Sequence, residues 1–172
     1  MMKIDFLTLF PEMFEAFCNT SIIKRAVSKD AVELNVTDIR KFTLDKNNRV
    51  DDYTIGGGAG LIMKCQPALD CIKSVRKENS KLIYLSPKGV KFDQNIARTL
   101  AKEEHLIFLC GHYEGIDERI IDEVDMQISI GDYILTGGEL PSMVVIDAVC
   151  RYLPNVLHNA KSTIDESFEN NL

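Results

Sequence analysis

Three short apolar runs, each ending in a polar loop with glycine, constrain this chain more than any other feature. KLIYL (81–85) runs into SPKG, HLIFLC (105–110) into GHYEG, and MQISI (126–130) into GDYILTGG. Helical spacings lie between and around them: PALDCIKSVRKE (67–78), NIARTLAKE (95–103), DERIIDEV (117–124) and Glu139 to Leu153, stopped by Pro154. Nearly all-apolar strands alternating with helices are the pattern of an α/β domain, a mostly parallel sheet flanked by helices. In such sheets ligands bind beyond the carboxyl ends of the strands. One glycine loop there is ordinary turn chemistry; three after three successive strands point to a site.

The first half fits the same class. KIDFLTLF and VELNVTDI alternate as strands, and Pro11 suits the first turn of a helix over PEMFEAFCN. SIIKRAVSK is expected to be a short helix. The stretch RKFTLDKNNRVDDYTIGGGAG (40–60) reads as one long loop, functional or mobile. At 172 residues and 45% hydrophobic content the chain suffices for one domain with a core. No run is long enough to span a bilayer, and Asp5 interrupts the N-terminal apolar segment, so no signal peptide is read. A cytoplasmic location is expected.

Five scattered cysteines without a C-x-x-C pair read as buried thiols in a reducing compartment. His105, His112 and His158 lie far apart, so no structural metal site is expected. The net charge of −6 is unevenly spread. Residues 1–110 hold 17 Lys and Arg against 14 Asp and Glu; residues 111–172 hold 3 against 12. Phosphate contacts to RNA would therefore come from the first two-thirds or from a segment outside this chain.

No Lys or Arg occurs between Arg119 and Arg151, and the glycine loops there are flanked by Glu114, Asp117, Glu118, Asp132 and Glu139. G-x-x-x-x-G-K-[ST] is absent, and GGGAGLIMK has neither the spacing nor the preceding strand of a dinucleotide loop. A polyphosphate is disfavoured. A neutral or cationic adenosine-type ligand, held by backbone hydrogen bonds, fits better.

GHYEGIDERIID (111–122) with SIGDYILTGGELP (129–141) closely resembles the bacterial tRNA (guanine-N1)-methyltransferases, members of the SPOUT superfamily. The resemblance extends through LFPEMF (9–14), NNRVDDYTIGGGAGLIMKCQP (47–67), IYLSPKG (83–89), RYLPNVL (151–157) and DESF (165–168). It implies S-adenosyl-L-methionine bound in a C-terminal trefoil knot at a homodimer interface. The implied activity is methylation of N1 of guanosine 37 in tRNA, a modification that supports reading-frame maintenance. Carried over by position, the cofactor residues are Tyr84, Leu85, Ser86 and Pro87; Gly111, Tyr113 and Glu114; and Ile130, Gly131, Tyr133, Leu135, Gly137, Gly138 and Pro141.

Guanine N1 carries a proton, so a general base and a cation near O6 are needed. The resemblance assigns the cation to Arg151. The family base is an aspartate in D-S-F; here register gives Glu166, with the preceding Asp165 as the alternative. Mg²⁺ is implied by the resemblance only, with Glu114 a possible participant; no metal-ligand spacing supports it. Further departures are Ile55, where a tyrosine is usual, and NVLHN at 155–159, where a glycine-containing stretch is usual. Residues 1–160 are expected to form the catalytic domain and 161–172 the start of a linker. The family's helical C-terminal tRNA-binding domain is then missing, and this chain is expected to bind cofactor while turning over tRNA poorly. The competing readings are a SPOUT enzyme with another RNA target and a non-catalytic RNA- or nucleotide-binding module.

Overall fold

The computed structural model describes residues 1–53 and 60–157. Five parallel strands form one sheet in the order β2-β1-β6-β5-β7: β1 (Met2–Thr8), β2 (Val32–Asp38), β5 (Ser80–Lys91), β6 (His105–Leu109) and β7 (Met126–Ser129). Helices α1 (Glu15–Cys18) and α2 (Ser21–Ser28) join β1 to β2, while α3 (Cys65–Val75), α4 (Gln94–Leu100), α5 (Glu118–Ile121) and α6 (Glu139–Cys150) follow. The α/β class with a mostly parallel, helix-flanked sheet is the one expected from the sequence.

The alternation along each strand builds two cores, because successive side chains point to opposite faces. Phe6, Ile83, Leu85, Leu106 and Phe108 pack with Phe14, Val145 and Val149 on one face. Leu7, Leu82, Ile107 and Leu109 pack with Ile72, Ile120 and Met63 on the other. Phe14 of LFPEMF stacks on Phe6 with ring centroids 4.4 Å apart, and Phe6 stacks on Phe108 at 5.8 Å. Such pairs contribute about 1 kcal/mol each beyond their burial and fix the Pro11–Phe14 3-10 turn over the end of the sheet.

Three details differ from the sequence expectations. The stretch 40–60 is not one loop: β3 (Asp51–Tyr53) pairs antiparallel with β4 (Leu61–Met63). SPKG is not a terminal turn either. β5 runs on to Lys91, leaving the ladder between Leu85 and Val90, both of which face Ile128 of β7. Gly89 lies at this bulge, where a Cβ would come within 2.5 Å of the Gln127 and Ile128 backbone. Finally, α6 ends at Cys150, not Leu153. Tyr152 N donates to Val149 O and Leu153 N to Cys150 O, a tightening to i→i−3 bonds that suits a residue preceding Pro154. Among the described residues no helix is long and apolar enough to cross a membrane.

Candidate functional site

The bulge after Leu85, the loop after β6 and the loop between β7 and α6 meet at the carboxyl end of the sheet. Between them lies a cavity of about 380 Å³. From the first segment it is lined by Tyr84, Leu85, Ser86 and Pro87; from the second by Gly111, Tyr113 and Glu114; from the third by Ile130, Gly131, Tyr133, Leu135, Gly137, Gly138 and Pro141. All fourteen positions singled out in the sequence are thus brought together. Arg151 is not among the lining residues: it caps the C-terminal end of α6. Gly138 caps the other end, about 20 Å away at about 1.5 Å per helical residue. Glu166, Asp165 and Ile55 lie outside the described residues.

Close packing explains two of the glycines, Gly138 against backbone and Gly137 against side chains. Gly138 N donates to Gly111 O at 3.0 Å, and a Cβ on Gly138 would sit 2.7 Å from Cys110 Cα and 3.0 Å from Gly111 N. Backbone cannot yield as a flexible side chain can, so the third loop is seated directly on the end of β6. A Cβ on Gly137 would meet His112 Nε2 at 2.2 Å. Gly131 takes a φ of +154° with the Tyr133 ring folded over it.

Among the described residues no Lys or Arg side chain lines the cavity; the ionisable walls there are Glu114, His112 and three tyrosines. Burial pushes the Tyr84 hydroxyl up from its ordinary value, so it is neutral at neutral pH. The site therefore offers backbone groups, hydroxyls, apolar surface and an acidic side chain. It can hold an uncharged ring system or a cation, and it is poorly suited to a phosphate chain.

Sequence reading missed His112, Gly115, Ile128, Ser129, Ile134 and Thr136 in this lining. It also missed Thr8, although Thr8 bears on the site. Glu139, at the first turn of α6 and 1% exposed, accepts from Thr8 Oγ1 at 2.6 Å and from His112 Nε2 at 2.8 Å. These pairings span 131 and 27 residues, so only the side-chain types were visible in the sequence. The β3–β4 hairpin supports the second loop from outside. Glu114 N donates to Leu61 O, Met63 N to Gly115 O and Asp117 N to Met63 O, all at 3.0–3.1 Å. Among the described residues no group of three or more His, Cys, Asp or Glu is arranged to hold a metal ion.

Against this geometry the comparisons with known proteins are specific. The family model described as tRNA (Guanine-1)-methyltransferase TrmD matches residues 2–172. A tRNA (guanine-N(1)-)-methyltransferase of Clostridium botulinum strain Langeland is 56% identical over 172 residues, covering 99% of this chain and 71% of that protein. Its counterpart in Clostridium kluyveri strain ATCC 8527 is 53% identical over 169 residues, covering 98% of this chain and 69% of that protein. A match over nearly the whole chain, at more than half identity, leaves one assignment: the chain belongs to the tRNA (guanine-1)-methyltransferase family.

Proposed function

We propose that this chain catalyses S-adenosylmethionine-dependent methylation of N1 of guanosine 37 in tRNA, with the cavity at the carboxyl end of the sheet as the cofactor site. One observation carries the reading: fourteen residues named from three separate sequence segments line a single cavity that, among the described residues, has no basic side chain. Its volume lies within the range of about 300–1,000 Å³ usual for small-molecule sites. The glycines at 111, 137 and 138 let the cavity loops pack closely on their own neighbours, and Glu114 suits a positively charged centre. The donor set fits an adenosine carrying a sulfonium. S-adenosylmethionine supplies an electrophilic methyl group; the chain's residues hold and align the reactants. Tyr84 to Pro87 and the 130–138 loop bind the adenosine portion, and Tyr113 and Glu114 face the rest.

Removal of the guanine N1 proton falls to Glu166, or to Asp165 in the alternative register. Arg151 stabilises the charge that develops at O6. Because Arg151 sits at the far end of α6 from the cavity of its own chain, a homodimer in which the two copies share each site is the arrangement that lets both act together. Leu140 and Val144, exposed on α6, offer an apolar face for such a contact. The SPOUT trefoil knot, residues 1–160 as catalytic domain, 161–172 as linker, and a cytoplasmic location complete this reading.

Methyl transfer to tRNA carrying guanosine at position 37 tests the chemistry. Arg151→Ala and Glu166→Gln should each lower the rate at least about a hundredfold while cofactor binding persists. Activity in Glu166→Gln with loss in Asp165→Asn moves the base to Asp165. Undiminished activity in Arg151→Ala, or in both carboxylate variants, rejects the assigned roles.

A further inference from the structure

Tyr113 is the one residue with a side chain in the cavity wall whose backbone is in the left-handed region without being glycine, at φ 61°. An aromatic residue adopts this conformation only when its neighbours impose it. Both neighbours are fixed. On one side Glu114 N donates to Leu61 O of the hairpin at 3.0 Å. On the other, His112 is held three ways: its backbone N–H donates to Met63 Sδ at 3.3 Å, its ring lies 4.7 Å from that of Phe10, and its Nε2 reaches Glu139 Oε2 at 2.8 Å.

Glu139 is well placed to hold that ring. It lies in the first turn of the 12-residue helix α6, where the helix favours negative charge. As a carboxylate it can only accept, so the Thr8 hydroxyl and the His112 Nε2–H both donate to it. The carboxylate thereby ties the end of β1, the loop after β6 and the start of α6 into one buried junction. Nothing in methyl transfer requires these groups to touch the reacting atoms.

We propose that His112 is a positioning residue: clamped by Glu139, it holds Tyr113 in its strained conformation, presents Tyr113 and Glu114 to the cofactor, and fixes the gap between two cavity walls. This rests on the cavity being the S-adenosylmethionine site. A ligand bound to the clamped loop spends none of its binding energy on ordering it, which is how preorganisation raises affinity.

The test is calorimetric titration of the 172-residue chain and its variants with S-adenosylmethionine. His112→Ala should weaken binding by about ten- to a hundredfold, the cost of one hydrogen bond to a charged group. His112→Gln, which can again donate to Glu139, should recover most of the loss. Glu139→Met, which cannot accept from Nε2–H, should weaken binding as well, and His112→Ala combined with Glu139→Met should lose little beyond the worse single variant, because both break one contact. Equal affinity in wild type and His112→Ala overturns the clamp while leaving the cavity's assignment intact. Fully additive losses overturn it too, showing that the residues act separately. Absence of binding by the wild type removes the cofactor reading and this inference together. Should His112→Ala fail to give a folded chain, Glu139→Met, similar in size and unable to accept from Nε2–H, supplies the same comparison, and unchanged affinity there overturns the proposal.

Discussion

Two carboxylate–histidine pairs stand out among the described residues, one within the sheet and one at its loop end, and the same chemistry has different consequences in each. Asp5, 2% exposed, meets His105 Nε2 at 2.5 Å, and His105 Nδ1 meets Ser80 Oγ at 2.7 Å. Lys3 Nζ adds an ion pair to Asp5 at 3.2 Å. These residues come from β1, β6 and β5, which are adjacent, and Lys3 and Ser80 are both register partners of His105. The pair therefore braces a ladder that backbone hydrogen bonds already define. Glu139 and His112 instead join a loop to a helix start, where no ladder exists. Rigidity that strands receive from their backbone has to be supplied to loops by side chains.

The difference can be broken or sharpened by substitution. The largest expected effect is on the cavity. Gly138→Ala forces a Cβ against the Cys110 and Gly111 backbone, and S-adenosylmethionine affinity should fall more than about a hundredfold. Retained affinity in Gly138→Ala would show that the third loop is not fixed as described.

Next comes the strand-side pair. Asp5→Ala leaves His105 and Lys3 facing an empty buried position, a loss of about 3–5 kcal/mol and of about 10 °C in thermal midpoint. Cofactor affinity of the folded chain should change less than about twofold. His112→Ala should show the reverse balance, a large affinity change with a smaller midpoint loss than Asp5→Ala, because Thr8 still donates to Glu139. Matching patterns in the two variants would erase the contrast.

Smaller effects follow from pH. Burial pushes the Cys71 and Cys150 thiols up to about 12. The folded chain thus binds these protons more tightly than the unfolded chain, whose thiols titrate near 8.5. The stabilisation is complete below about pH 8.5 and lost as pH rises toward 12, by about 3 kcal/mol per thiol at about pH 10.5. Thermal midpoints at pH 8 and 10.5 measure it, and a Cys71→Ala/Cys150→Ala variant should show a visibly flatter alkaline decline.

The smallest expected effect is at the surface. The Arg119 guanidinium holds the Asp117 carboxyl below its ordinary value, so that pair stabilises above about pH 4 and is lost as pH falls further. Arg119 is solvent-exposed, and Arg119→Ala should lower the midpoint by no more than about 2 °C at pH 7 and not at all at pH 2.

How much was legible in the sequence follows from how each element is held. KLIYL, HLIFLC and MQISI are strands because their apolar runs need a covered sheet, a local property of the residues. DDY is polar and three residues long; it is a strand because LIM pairs with it and because residues 114–117 bond to β4, none of which is local. SPKG has the composition of a turn, and only β7 beside it draws the chain back into the ladder at Val90. The cavity residues were legible through motif resemblance, since glycine spacing alone was equally compatible with turns. Thr8 and His112 were not, because neither means anything without Glu139 between them. Arg151 was named from the motif, and its separation from the cavity along α6 emerged only with the fold.

The proposed cofactor site is a cavity that, among the described residues, no basic side chain lines. Parallel calorimetric titrations of the 172-residue chain with S-adenosylmethionine and with ATP test it most directly. The account predicts saturable binding of S-adenosylmethionine, lost in Gly138→Ala, and no measurable binding of ATP. Silence with S-adenosylmethionine at millimolar concentration, or ATP binding of equal strength, would contradict it.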